Sequence, residues 1–389
     1  MRVGVDGSCW ANRRGFGRFT RALVTAMAEE PGDHEIRLLL DSVSAKDPAI
    51  PPVPKNLPVD VVPVRAAPAH AARADGARSL RDLAAMARAG SRARYDVMLF
   101  PASYSYFPIL RTPVVTVVHD AIAESMPGLV LPSRAARMRW NSKQWLALHQ
   151  SRAVLTVSEA SRTALREKLG VRADRLHVIR EAPDRHFRPV GEESRRDVLA
   201  RYGVDPGTPY VIYVGGISPH KNLGVLVEAF GRLDRRDVVL LLVGDTSDDP
   251  FLSATTDVRR AVAASPARER IRLLGYVPDA DLPALYSGAV LSAQPSLAEG
   301  FGLTAAESVA CGTPVLASND PALVELLGAF GCYADPRSPE QWAVLITDLL
   351  ADRQRVARLA AEGLAAARGW TWEHAAQTTL SVLAEARRP

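Results

Sequence analysis

The chain has 389 residues, 47% hydrophobic and 23% charged, with a formal net charge of +5 at neutral pH. That length exceeds one ordinary core and suits two domains, and the composition is that of a soluble globular protein. The charge is uneven: residues 1–185 hold 28 Lys+Arg against 18 Asp+Glu, a net of +10, and the rest holds 20 against 25, a net of −5.

A basic first half suits an anionic partner: a charged acceptor, a membrane surface or the phosphates of a ligand. An arginine-rich composition produces much of the same excess without function. Cys9, Cys311 and Cys332 are far apart and odd in number, which argues against a disulfide framework or a zinc site. Met1 runs directly into an apolar strand, and no apolar stretch approaches the ~18 to 20 residues that span a bilayer. The expectation is a cytoplasmic protein in a reducing compartment, with membrane contact at most peripheral and no nucleic-acid partner.

Residues 2–6 (RVGVD) read as a first strand, followed by the turn Gly15-Phe16-Gly17-Arg18 and an amphipathic helix to about Glu29. A glycine-rich turn between strand and helix is a potential phosphate site, although this one lacks the full dinucleotide fingerprint. Further strands are expected at 35–40 and 59–64, separated by a proline-rich loop at 48–58. Residues 65–94, rich in Ala and Arg, suggest a loop and a basic helix. The runs at 96–100 (DVMLF) and 114–120 (VVTVVHD) are continuously apolar, as in parallel strands buried on both faces.

Between these runs, residues 101–107 hold three aromatic rings, Tyr104, Tyr106 and Phe107. They suit an acceptor wall, although packing is the commoner fate of such rings. His119 and Asp120 end a strand, where ligands bind in open α/β sheets. Residues 132–151 read as a helix with Arg134, Arg137, Arg139 and Lys143 beside Met138, Trp140 and Trp145. That pattern fits an interfacial membrane contact or a solvated basic face over core tryptophans. A strand at 153–158, a helix at 159–169 and a strand at 177–179 complete the series, and 183–191 reads as a linker.

A second series begins near Pro209. The strand YVIYVGG leads through Gly215 and Gly216 into the turn 217–222, where Lys221 stands between strand and helix and can meet a diphosphate. Strands at 238–244 and 271–274 follow, and then the turn Gly275-Tyr276-Val277-Pro278, whose backbone can read a base edge. Asp279 and Asp281 open a helix and are better read as an N-cap and a first-turn acid than as metal ligands. Helices are expected from there to about Arg368, and a last one at 372–387.

The segment 294–318 (QPSLAEGFGLTAAESVACGTPVLAS) reads as strand, glycine turn, short helix and strand. Gly300 and Gly302 admit close approach of a ligand, and the N–H groups of residues 302–305, around Leu303 and Thr304, can face a phosphate. Glu299 and Glu307 are acceptors suited to sugar hydroxyls. Phosphate donors beside hydroxyl acceptors suit a nucleotide sugar, although two glutamates at this spacing also occur by chance. Two series of alternating strands and helices make two doubly wound, Rossmann-like sheets, expected to face one another across a cleft.

The segment AEGFGLTAAESVACGTPVLAS resembles the Glu-x7-Glu segment of the retaining family 4 (group 1) glycosyltransferases of the GT-B fold. RGFGRFTRAL, VVHD, LTVSEASR, YVGGISPHKNL, LGYVPDADLPALYSGA and GWTWEHAAQTTLSVL are similar to further family segments and occur in family order. The resemblance implies an acceptor-binding domain over 1–185, joined by a returning helix at 370–389, and a donor-binding domain over 186–369. It implies Glu307 on the nucleotide ribose, Glu299 with the backbone of Gly300, Phe301, Gly302 and Leu303 on the donor hexose, and Thr304 at the helix start. Lys221 would take the diphosphate beside Gly215, Gly216 and His220, with Gly17 reaching it from the opposite domain. His119 would line the transfer site, and Tyr276-Val277 would hold the base.

His119, Glu299 and Lys221 thus form the expected catalytic set, with Arg18, Tyr104 and Tyr106 on the acceptor side. The implied reaction moves a hexose from a GDP- or UDP-sugar, of the mannose, glucose or GlcNAc type, to a hydroxyl of a small, lipid-linked or glycan acceptor. It needs no metal or other cofactor. The chain departs from the family where an arginine often stands five residues before, or directly before, the lysine: here those positions are Gly216 and His220. A sugar-nucleotide epimerase or phosphorylase relative, or a non-catalytic sugar-nucleotide-binding subunit, are the alternatives on the same fold.

Overall fold

A computed structural model describes residues 1–12, 15–65, 79–92, 95–131, 133–245 and 254–388. The chain divides into two compact units, Met1–Glu181 with Thr371–Pro389, and Ala182–Trp370. The first unit ends at Glu181, whose carboxylate lies 3.3 Å from His119 Nδ1 in the same unit.

The first unit holds β1 (Arg2–Asp6), β2 (Glu35–Asp41), β3 (Val59–Val62), β4 (Val97–Phe100), β5 (Val114–Val117), β6 (Ser151–Thr156) and β7 (Leu176–Val178). They form one parallel sheet in the order β3-β2-β1-β4-β5-β6-β7. All four residues of β4 and of β5 are buried, as continuously apolar runs require in a sheet covered on both faces. Helix Trp372–Arg387 belongs to this unit and packs on helix Gly15–Glu29, with the Phe19 and Trp372 rings 5.6 Å apart. Thr371 starts it by accepting the His374 N–H, as Ser158 and Ser133 start the helices Glu159–Leu169 and Arg134–Gln150.

The second unit holds β8 (Tyr210–Val214), β9 (Val239–Val243), β10 (Ile271–Gly275), β11 (Leu291–Gln294), β12 (Val315–Ser318) and β13 (Cys332–Ala334), parallel in the order β10-β9-β8-β11-β12-β13. Alternate residues enter separate cores. Val211, Tyr213, Leu240 and Leu242 pack with helices Leu223–Gly231 and Pro339–Ala351, whereas Tyr210, Ile212, Val214 and Leu241 pack with Glu192–Arg201 and Leu282–Gly288. This period-two division of one strand between two layers is the signature of a doubly wound sheet.

Several expectations need correction. Strand β13 and helix Glu192–Arg201 were not expected, the former being three residues long and the latter carrying too few apolar residues to show a face. The helices Ile122–Ser125 and Pro127–Val130 fill a stretch to which the sequence assigned no element. Asp281 stands at the N-cap position of its helix without capping it, because its carboxylate accepts from Arg201 and from the Tyr202 hydroxyl, each at 2.8 Å. Residues 66–78 and 93–94 of the expected 65–94 loop and helix, and Pro132, lie outside the described residues. Leu80–Arg92 is helical.

Candidate active site

In an open parallel sheet the strand order reverses at one point, and the loops leaving the carboxyl ends of the two strands there part to opposite faces, leaving a crevice. In the second unit those strands are β8 and β11. The loop after β8 carries Gly215 to Lys221, and the loop after β11 carries Ser296 to Gly302, so residues 78 positions apart in sequence meet. Lys221 Nζ lies 2.6 and 2.8 Å from the two carboxylate oxygens of Glu299, and Ser296 Oγ donates to the same carboxylate at 2.6 Å. The Leu297 N–H donates to the His220 carbonyl at 2.7 Å and ties the loops together.

Both charges are largely withdrawn from water, the side chains being 20% and 10% exposed. Burial alone pushes the Glu299 carboxyl up, but the charge and hydrogen bonds of Lys221, with Ser296, outweigh it and hold the group below the ordinary carboxylate range. His220 is lowered to about 4, first by burial and then by the neighbouring Lys221. The imidazole directly before Lys221 is therefore neutral at physiological pH.

Asp320, which the sequence reading missed, is the next acid in space. Its carboxylate accepts the Ala322 and Leu323 N–H groups at 3.0 and 3.3 Å, and a backbone hydrogen bond from Glu299. Burial first, and then the Glu299 charge, raise it to about 6. Asp before the Pro of a helix's first turn was the available signal.

Beyond Glu299 the chain turns through Gly302, at φ +96°, into helix Leu303–Ala310, which begins without a side-chain cap. That φ favours glycine, and a Cβ there would lie 2.7 Å from Leu323 Cδ2, so that side chain would have to shift. The uncapped start presents backbone N–H groups and the positive end of the helix dipole to an anion. Gly300 is half-buried and Phe301 buried, and Thr304 Oγ1 donates to Gln294 at 3.3 Å. Glu307 is fully buried on the same helix. Gly216 is exposed, with its carbonyl accepting from the Tyr213 hydroxyl at 2.7 Å, while Gly215 is half-buried. After β10, Tyr276 is 54% exposed and Val277 is buried, so the ring offers a face and the valine anchors the turn.

The first unit has its own reversal point, between β1 and β4. There Asp6 accepts from Ser8 at 2.6 Å and from Ser105 at 2.5 Å and ties the two loops. Gly17 is buried in the first turn of its helix, where a Cβ would fall 1.8 Å from the Asn12 carbonyl oxygen. Arg18 is half-buried beside it. Tyr104 is buried, accepts from Asn12 Nδ2 at 3.3 Å and packs its ring 4.9 Å from Phe16. Tyr106 is removed from the expected acceptor set. It lies in the core against Phe100 and Phe107, and Gln150 takes its hydroxyl.

His119 is buried, with Nε2 2.9 Å from the Pro101 carbonyl oxygen and Nδ1 3.3 Å from Glu181. Phe16 and Phe19 meet its ring edge-on at 4.9 and 4.4 Å. Both ring nitrogens are engaged by the protein, an arrangement that no spacing in the sequence announced.

The family described as Glycosyl transferases group 1 matches residues 194–365, and Glycosyltransferase Family 4 matches residues 13–187. The chain is 31% identical over 291 residues to the O-antigen chain mannosyltransferase B of Escherichia coli, covering 74% of each chain. It is 33% identical over 280 residues to the D-inositol 3-phosphate glycosyltransferase of Nocardia farcinica, covering 69% of this chain and 60% of that one. Among solved structures, the sucrose-phosphate synthase of Thermosynechococcus elongatus is similar over 99% of this chain and 98% of that one, with a TM-score of 0.77 at 20% identity. Anabaena HepE in complex with UDP-glucose is similar over 99% and 100%, with a TM-score of 0.75 at 20% identity.

Proposed function

The chain belongs to the family 4, group 1 glycosyltransferases with the two Rossmann-like domains of the GT-B fold, and from that premise we propose that it moves a hexose from a nucleoside diphosphate sugar to an acceptor hydroxyl with retention of configuration. The observation that carries this reading is the meeting of Lys221 and Glu299 beside the uncapped helix start at Leu303. The second unit then binds the donor. Its diphosphate takes the Lys221 ammonium and the free N–H groups, and hexose hydroxyls take up the Glu299 carboxylate, so the ion pair exchanges partners when the donor enters. Glu307 binds the ribose, and the turn at Tyr276-Val277 holds the base. UDP-glucose bound to HepE, a protein of the same fold, supports a nucleotide sugar, and the name of the Escherichia coli relative favours a mannosyl donor.

In the proposed reaction the acceptor oxygen bonds to the anomeric carbon on the face from which the diphosphate departs. The departing phosphate oxygen takes the hydroxyl proton. The protein's contribution is electrostatic: Lys221 and the helix start stabilise negative charge growing on the leaving group, and loss of one such donor typically costs ~10² to 10³ in rate. His119, its nitrogens engaged, shapes the wall of the transfer site and moves no proton. Transfer independent of divalent metal belongs to this reading, and unchanged turnover in EDTA checks it.

The test is turnover and slow hydrolysis of GDP- and UDP-hexoses by the wild type and by Lys221→Ala and Glu299→Ala, with circular dichroism to establish folding. Each variant should lose at least about 100-fold. Wild-type rates in either folded variant would remove the site assignment, and binding of sugar nucleotides without any turnover would favour a non-catalytic subunit.

A further inference from the structure

Beyond the residues that meet the donor, the structure assigns a positioning role to Asn222: we infer that its side-chain amide sets Lys221 against Glu299. Asn222 follows Lys221 in the left-handed conformation, at φ 56° and ψ 38°, one of only two non-glycine residues with positive φ among the described residues. Asparagine and glycine are the residues that adopt it at least cost. It precedes helix Leu223–Gly231 without capping it, so its side chain is used elsewhere.

Nδ2 donates to the Pro295 carbonyl at 3.1 Å and to the Pro336 carbonyl at 2.7 Å. Only the NH₂ end of an amide can face two carbonyl oxygens, which fixes its orientation, and both its hydrogens are used. Pro295 opens the loop that carries Ser296 and Glu299, and Pro336 lies in the loop after β13. The amide therefore joins the turn of Lys221 to two loops at the carboxyl ends of β11 and β13. With the Leu297 N–H to His220 carbonyl bond on the other side of Lys221, the loops are fixed at two points that bracket the lysine. A long, flexible ammonium held within 2.8 Å of both carboxylate oxygens needs its Cα fixed in this way.

This role rests on the donor-site reading, so the experiment separates the two. Affinities for UDP and GDP are measured by calorimetry on the wild type, Asn222→Gly, Lys221→Ala and the double variant. Asn222→Gly keeps the left-handed backbone and removes only the amide. It should remain folded and weaken binding of the nucleotide that the wild type binds by about tenfold, while adding little to Lys221→Ala, since residues acting through one another are not additive.

Unchanged affinity in Asn222→Gly, or losses that simply add in the double variant, would overturn the inference and leave the donor site standing. A wild type that binds neither nucleotide would remove the donor-site reading and this role with it. Should Asn222→Gly be unstable, Asn222→Asp keeps shape and φ but turns a carboxylate on two carbonyls, and must show the same loss confined to the Lys221 background.

Discussion

Asp320 shows how one side chain responds to a site built around it. Its pKa of about 6 lies above the ordinary Asp value, so ionisation in the folded protein works against stability. The stability it contributes is complete below the unfolded pKa near 4 and is lost as pH rises through about 6. Asp320→Asn keeps a capping oxygen and removes the charge. At pH 7.5 it should raise the melting midpoint by about 2 to 4 °C, equivalent to ~1 kcal/mol, with the gain largely gone at pH 4.5. A gain of equal size at both pH values would refute the charge argument. His220 behaves oppositely: its lowered pKa leaves its contribution intact above about 6.5 and loses it as pH falls through about 4. Nucleotide affinity measured between pH 8 and 5.5 should therefore show no step from this imidazole.

At the scale of elements, apolar period and turn residues revealed most strands and long helices, while the short pieces escaped. A three-residue strand such as β13 carries no period, and Glu192–Arg201 buries only Val198 and Leu199. Helix Arg134–Gln150 makes a prediction of its own. It has no Asp or Glu, and Met138 and Trp145, at 68% and 62% exposure, stand outward among its arginines. This face suits an anionic interface, where arginine meets lipid phosphate and the indole sits at headgroup depth. The chain should float with phosphatidylcholine vesicles containing anionic phosphatidylglycerol and not with phosphatidylcholine alone. Trp145→Ser should weaken that binding, and equal flotation with both lipids would count against the charge argument. Among the described residues no helix is long and apolar enough to cross a membrane.

Across the whole molecule, each unit has its own sheet and its own reversal point, and Lys221 meets Glu299 at that of the second unit. If the second unit binds the donor, saturating nucleotide should slow amide exchange around residues 215–222, 275–277 and 296–307. At 100 times its dissociation constant it should add ~2.7 kcal/mol of stability. Protection at residues 15–18 in the same experiment examines the diphosphate role expected of Gly17. Protection spread evenly over both sheets would contradict a localised donor site.

By itself the sequence determined the two parallel sheets, the glycine turns and the identities of Lys221, Glu299 and Glu307, because apolar period, turn chemistry and short motifs are local properties. Only the tertiary structure decided which of these act together. Lys221 reaches Glu299 through the reversal of strand order between β8 and β11. Asp320 joins from the loop after β12, and the Asn222 amide ties the turn of Lys221 to the loops after β11 and β13. Tyr106 leaves it for the core, and His119 has both nitrogens engaged by Pro101 and Glu181. The physical reason is common to all of these: an ion pair, a shifted pKa or a buried ring depends on groups brought together across the fold, and no spacing along the chain records that distance.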